Sequence, residues 1–140
     1  MKQPKKILMI ALSLGLLGAF AQVWFIRSTA AYAPLVRGVT FIAIPVFIGL
    51  FAALTERKDT IKTAALGGFT VGFIQSWSTV FFSLDRQAFQ SVEVAFARIG
   101  AIFVALALTS WLTAGLASVV AFPITQAFSE KGEIHEANYN

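Results

Sequence analysis

The sequence predicts an all-α integral membrane protein with four transmembrane helices, built as two tandem α-hairpins related by a pseudo-twofold along the membrane normal. Three observations predict it. Hydrophobic residues fill 57% of the 140 positions and the mean hydropathy is +0.75, whereas a soluble domain is roughly 45–50% apolar. That excess is gathered into long runs almost free of charge, which marks bilayer spans and not an apolar globular core. Finally, Gly15-x4-Phe20-x-Gln22-x-Trp24 recurs 53 positions later as Gly68-x4-Phe73-x-Gln75-x-Trp77, so the third span repeats the first.

The first span follows a basic start carrying Lys2, Lys5 and Lys6, and runs from Ile7 to Ile26 without a charge for 20 residues. At 1.5 Å per residue that crosses a hydrocarbon layer of about 30 Å. A basic start, an apolar run and Ala19-Phe20-Ala21 also resemble a secretory signal with its cleavage site. The run continues through Val23, Trp24, Phe25 and Ile26, past that site, which favours an uncleaved helix. The second span covers about 35–54, with Pro34 in its first turn, where a missing N–H costs nothing. Pro45 in its middle removes the bond to the Phe41 carbonyl and predicts a packing kink, with a moving hinge as the other reading. The polar turn Thr55-Glu56-Arg57-Lys58-Asp59 divides the halves.

The third span covers about 61–84. Ala64, Gly68, Gly72 and Ser76 fall every four residues and make a stripe of small residues on one face, which lets another helix backbone come close. Gly67, Gly68 and Gly72 sit mid-helix, so they are packing residues and not a phosphate loop. Asp85 to Arg98 is a charged connection in which Asp85 fits the cap of a short interfacial helix starting at Arg86. The fourth span covers about 99–122 with a second stripe, Ala101, Ala105, Thr109, Thr113, Ala117 and Ala121, and Pro123 is expected to stop it. Hairpin 1 is thus about 7–54, hairpin 2 about 61–122, and 123–140 a polar tail, all in one transmembrane domain.

Orientation follows from Lys and Arg in short loops. One side has Lys2, Lys5, Lys6, Arg57, Lys58, Lys62 and Lys131; the other has Arg27, Arg37, Arg86 and Arg98. Both termini are therefore expected in the cytoplasm, with the chain in a bacterial or archaeal inner membrane. On each odd helix the repeated motif sets Gly15 with Gln22, or Gly68 with Gln75, on one face, and Phe20 with Trp24, or Phe73 with Trp77, on another. The tryptophans fit an aromatic belt at headgroup level. The glutamines are expected to hydrogen-bond across the axis and join the halves, worth about 1 kcal/mol, with a substrate site as the rival reading. Trp111, near the centre of the fourth span, lacks headgroups to bond and is expected to reach Gln22, Gln75 or a backbone carbonyl, or to face a partner.

Much chemistry is missing. There is no cysteine, and the sole histidine, His135, lies in the tail, so thiol chemistry and intramembrane imidazole ligation are excluded. No Asp or Glu falls in a predicted span, which disfavours ion-coupled transport. No nucleophile, base or paired carboxylates converge, so neither an enzyme nor a cofactor or metal site is expected. The net charge of +4 is spread over the span ends, where it sets topology and gives no nucleic-acid-binding face. The first expectation is a non-catalytic subunit (accessory, assembly or scaffold) packing against membrane lipids and other membrane subunits, or forming a homo-oligomer. The alternative is a small oligomeric channel or carrier for a neutral or lipid-like solute, using Gln22, Gln75, Ser76 and Thr79. A holder of lipid or pigment is a third reading.

Overall fold

The computed structural model describes residues 3–28, 33–55, 59–83 and 92–137, and among them every element is a helix. They are α1 (Gln3–Ser28), α2 (Ala33–Thr55), α3 (Thr60–Ser83) and α4 (Val92–Ala137). Three are long and apolar enough to cross a membrane, over Lys5–Trp24, Pro34–Thr55 and Phe96–Phe128. The expected third span, α3, is 24 residues long, but its described part is less apolar because it carries Lys62, three glycines, Gln75 and Ser76.

Close contacts fix the directions. At one level Gly67 of α3 lies by Ile7 and Ala11 of α1 and Ile48 of α2, and Gly68 and Gly49 both meet Ala117 of α4; at the other Gly18 of α1 lies by Gln75 of α3 and Ile44 of α2, and Gly72 of α3 meets Thr109 of α4. The helices therefore run up, down, up and down. α2 and α3 touch each other and both outer helices, whereas α1 and α4 do not touch among the described residues. A twofold exchanging α1 with α3 and α2 with α4 would turn the α2–α3 contact into an α1–α4 contact. The packing departs from the expected symmetry in that respect.

At the lower end, where α1 and α3 begin, the core is Ile7, Ala11, Ile48, Ala52, Ala53, Ala64, Val71, Ala117 and Ala121. Alanine dominates because the helices are drawn close by glycine. A Cβ on Gly68 would lie 2.5 Å from the Thr113 carbonyl oxygen and 3.0 Å from Ala114 Cα, both backbone atoms that cannot step aside. A Cβ on Gly49 would fall onto the Ala117 carbonyl. Ala117, with no exposed surface, is thus the residue over which α2, α3 and α4 meet.

Pro45 lies inside α2 and is fully buried. Pro123 does not stop α4, which continues to Ala137 over 46 residues in all. A proline removes one ladder bond without ending a helix when the next turn is held in place. Here Ile124 packs on the core and Thr125 Oγ1 donates to the Ala121 carbonyl at 2.8 Å. The segment expected as a polar tail is therefore helical as far as position 137. Arg98, expected in a connection, lies within α4. Asp85, Arg86 and the side chains of Arg27, Thr79 and Glu93 lie outside the described residues.

Candidate functional site: the buried polar layer

The interior holds polar side chains. Gln22, Thr63, Gln75, Ser76, Ser110 and Thr113 are all buried. A buried polar group is costly unless it is hydrogen-bonded. Ser110 Oγ donates to the Leu106 carbonyl at 2.6 Å and Thr113 Oγ1 to the Thr109 carbonyl at 2.9 Å. Such back-bonding to the preceding turn lets a hydroxyl sit inside a helix bundle. Ser76 and Thr109 hydrogen-bond hydroxyl to hydroxyl between α3 and α4.

The upper end, where α1 and α3 finish, is organised around two amides. Gln22 Nε2 donates to Thr40 Oγ1 at 2.7 Å and, more weakly, to Gln75 Oε1 at 3.5 Å. Gln75 Nε2 points to the Thr40 carbonyl at 3.5 Å. Thr40 Oγ1 turns its own hydrogen to the Val36 carbonyl at 2.8 Å, with the Arg37 carbonyl at 3.1 Å. Gly18 makes the room, since a Cβ there would stand 2.7 Å from Gln75 Nε2 and from Ile44 Cδ1. Equivalent positions of the repeated motif thus meet face to face. The aromatic halves also match, with Phe20–Trp24 and Phe73–Trp77 stacked at 6.3 and 6.5 Å and their tryptophans exposed.

The small-residue stripe of α3 is consumed inside the bundle. Gly68 lies against Thr113, Ala114 and Ala117, Gly72 against Thr109, Ser110 and Thr113, and Ser76 bonds Thr109. Ala64 is buried in the same core as Ala121. The two stripes read from the sequence therefore face each other in antiparallel register. Ala101 and Ala105 leave that interface and are exposed; the register sets Ala101 opposite position 84, one past the end of α3 at Ser83. Gly15 packs on α3, with Ile74 Cδ1 3.2 Å from where its Cβ would be.

Trp111 does not join the glutamines. It is 71% exposed and stands edge-on to Phe69, ring centres 6.1 Å apart. Thr109 and Thr113 face α3, and at about 100° per residue Trp111 points roughly 160° away from both. Thr40 and Gly18 also belong to the polar layer, although the repeated motif does not point to them. A signal for Thr40 is present in the sequence, since it is the only uncharged polar side chain between Pro34 and Thr55.

No group of three or more potential metal ligands occurs among the described residues. Comparison of the chain with family models, with curated proteins and with solved structures finds no match.

Proposed function

We propose that this chain spans a membrane four times, with both termini cytoplasmic, as a non-catalytic accessory, assembly or scaffold subunit that packs against partner helices or copies of itself. The observation that carries the reading is the apolar exterior: Met9, Leu17, Phe20, Trp24, Phe103, Trp111, Leu112 and Val119 are exposed, while a hydrogen-bonded polar layer is enclosed beside the small apolar core. Soluble monomers rarely expose continuous apolar surface on this scale, and a bilayer makes it favourable.

Subunit packing is supported by where small residues remain open. A Cβ on Gly38, Gly100 or Gly115 would meet nothing within 4 Å, so these positions let a second helix approach the exterior closely. The channel or carrier reading draws on Gln22, Gln75, Ser76 and Thr79. It is the weaker one, because the first three already bond within the bundle.

Gentle solubilisation of native membranes, capture of the tagged chain and sizing of what comes with it tests the proposal. A stoichiometric complex with other membrane proteins, or a stable homo-oligomer inactive in liposome flux assays, is expected. A homo-oligomer that conducts solute, with conduction abolished by Gln75→Leu while the fold persists, would overturn it.

A further inference from the structure

At the lower end, α1 and α2 leave an open cleft between them. It is lined by Lys6, Ile7, Ile10, Phe51, Leu54 and Thr55 and has a volume of about 410 Å³, within the roughly 300–1,000 Å³ of ligand clefts. The antiparallel register that sets Gly18 by Ile44 and Gln22 by Thr40 puts Lys6 level with Thr55, and Ile10 level with Phe51 one turn further in. The mouth of the cleft therefore carries an ammonium and a hydroxyl group, and its inner part is a branched aliphatic chain facing an aromatic ring.

Charge selects what fits there. Lys6 is exposed and makes no ion pair among the described residues. Asp59, the one carboxylate whose side chain is described, pairs with Lys62 at 3.0 Å. Thr55 Oγ1 donates its hydrogen to the Phe51 carbonyl at 2.6 Å, so the three N–H groups of Lys6 are the free donors of the cleft. They call for an anion. A small hydrophilic anion would leave Ile10 and Phe51 uncovered, and an uncharged apolar molecule would leave Lys6 unused. An anionic head on a hydrocarbon chain answers both halves, and it lies in the same order, since the charge is at the end of the span and the apolar part toward its middle.

We propose that the α1–α2 cleft is a binding site for one anionic phospholipid, with its phosphate on the Lys6 ammonium and the start of an acyl chain along Ile10 and Phe51. The inference rests on the membrane reading above, but on nothing about subunits. A chain recovered in the soluble fraction would sink that reading. A chain extracted only by detergent, yet without preference for an anionic lipid, would sink this inference alone.

The test uses the full chain in a neutral maltoside detergent, titrated separately with phosphatidylglycerol and with phosphatidylcholine of the same chains, and followed by native mass spectrometry and thermal shift. One saturable site is expected, with phosphatidylglycerol bound roughly fivefold more tightly, the preference that one lysine near an anionic headgroup supplies. Lys6→Gln should abolish that preference. Leu54→Trp, which fills the cleft from an exposed position, should weaken binding with the charge unchanged. Lys5→Gln removes an equal charge from the neighbouring exposed residue, outside the cleft, and should leave binding as it is. Inorganic phosphate, which has no chain for the apolar part, should not compete at the same concentration. Equal affinity for the two lipids, an equal loss in Lys5→Gln, full binding by Leu54→Trp or competition by inorganic phosphate would each overturn the proposal. So would a preference that emerges only in Glu56→Gln, since Glu56 would then be the partner of Lys6. Should Lys6→Gln fail to fold, the wild-type titration and Leu54→Trp still decide it.

Discussion

Gln75 has no exposed surface, and a buried amide is tolerated only when its donors and acceptor are met. Gln22, Thr40 and the space left by Gly18 meet that need, so the amides join α1, α2 and α3 at one level. Interhelical hydrogen bonds in bilayers are modest, because the unfolded helices also find polar partners. Gln22→Leu and Gln75→Leu are therefore each expected to destabilise the bundle by about 1 kcal/mol, with a coupling of roughly 0.5–1 kcal/mol in the double variant. Unfolding in mixed micelles with increasing dodecyl sulfate measures it, and strictly additive effects would show that the 3.5 Å contact carries no energy. The motif spacing makes the glutamine pairing legible. For Trp111 depth along the helix misleads when it is weighed without angle, although Thr109 and Thr113 on either side already set the inward face of α4.

At the scale of the helix, glycines divide by what lies above them. Gly68→Ala drives a Cβ to 2.5 Å from the Thr113 carbonyl oxygen, so α3 and α4 must separate, at an expected cost of about 1–3 kcal/mol. Gly115 lies in α4 with nothing within 4 Å. There Gly115→Ala should be neutral or stabilise by up to about 1 kcal/mol, through reduced backbone entropy in the unfolded chain. The same unfolding assay compares the two, and equal effects would mean that the α3–α4 approach is looser than the geometry states. Charge-free length and four-residue periodicity make the helices and both stripes visible. They do not say that the stripes face each other, since a small residue is equally suited to an internal or an external neighbour. Pro123 shows the opposite limit, because a local stop signal lost to Ile124 packing on the core and to the Thr125 back-bond.

For the whole molecule the decisive property is which solvent the exterior meets. The three apolar windows are only 22–33% buried within the bundle, an exterior that the proposed membrane setting would cover with lipid or other helices. α4, at 46 residues, is roughly 69 Å long and outlasts a bilayer of about 40–45 Å including headgroups, so the proposed membrane setting requires one of its ends to project. The described part of α3 is not among the windows that qualify as spans by composition. Yet it touches every other helix and buries its polar Thr63, Gln75 and Ser76 while exposing Ile61, Leu66, Phe73 and Trp77, so its polar residues need not face lipid. The chain has no cysteine, so single cysteines report topology without background. Lys5→Cys and Lys62→Cys are exposed at the lower end, and Arg98→Cys is exposed near the start of α4. An impermeant maleimide should label only Arg98→Cys in intact cells, and all three after permeabilisation. Labelling of Lys62→Cys and Arg98→Cys from the same face would mean that α3 does not cross. Labelling of Lys5→Cys and Lys62→Cys from opposite faces would break the first hairpin. The predicted pattern requires α3 to carry its buried amide through the membrane, shielded from lipid by the three helices around it.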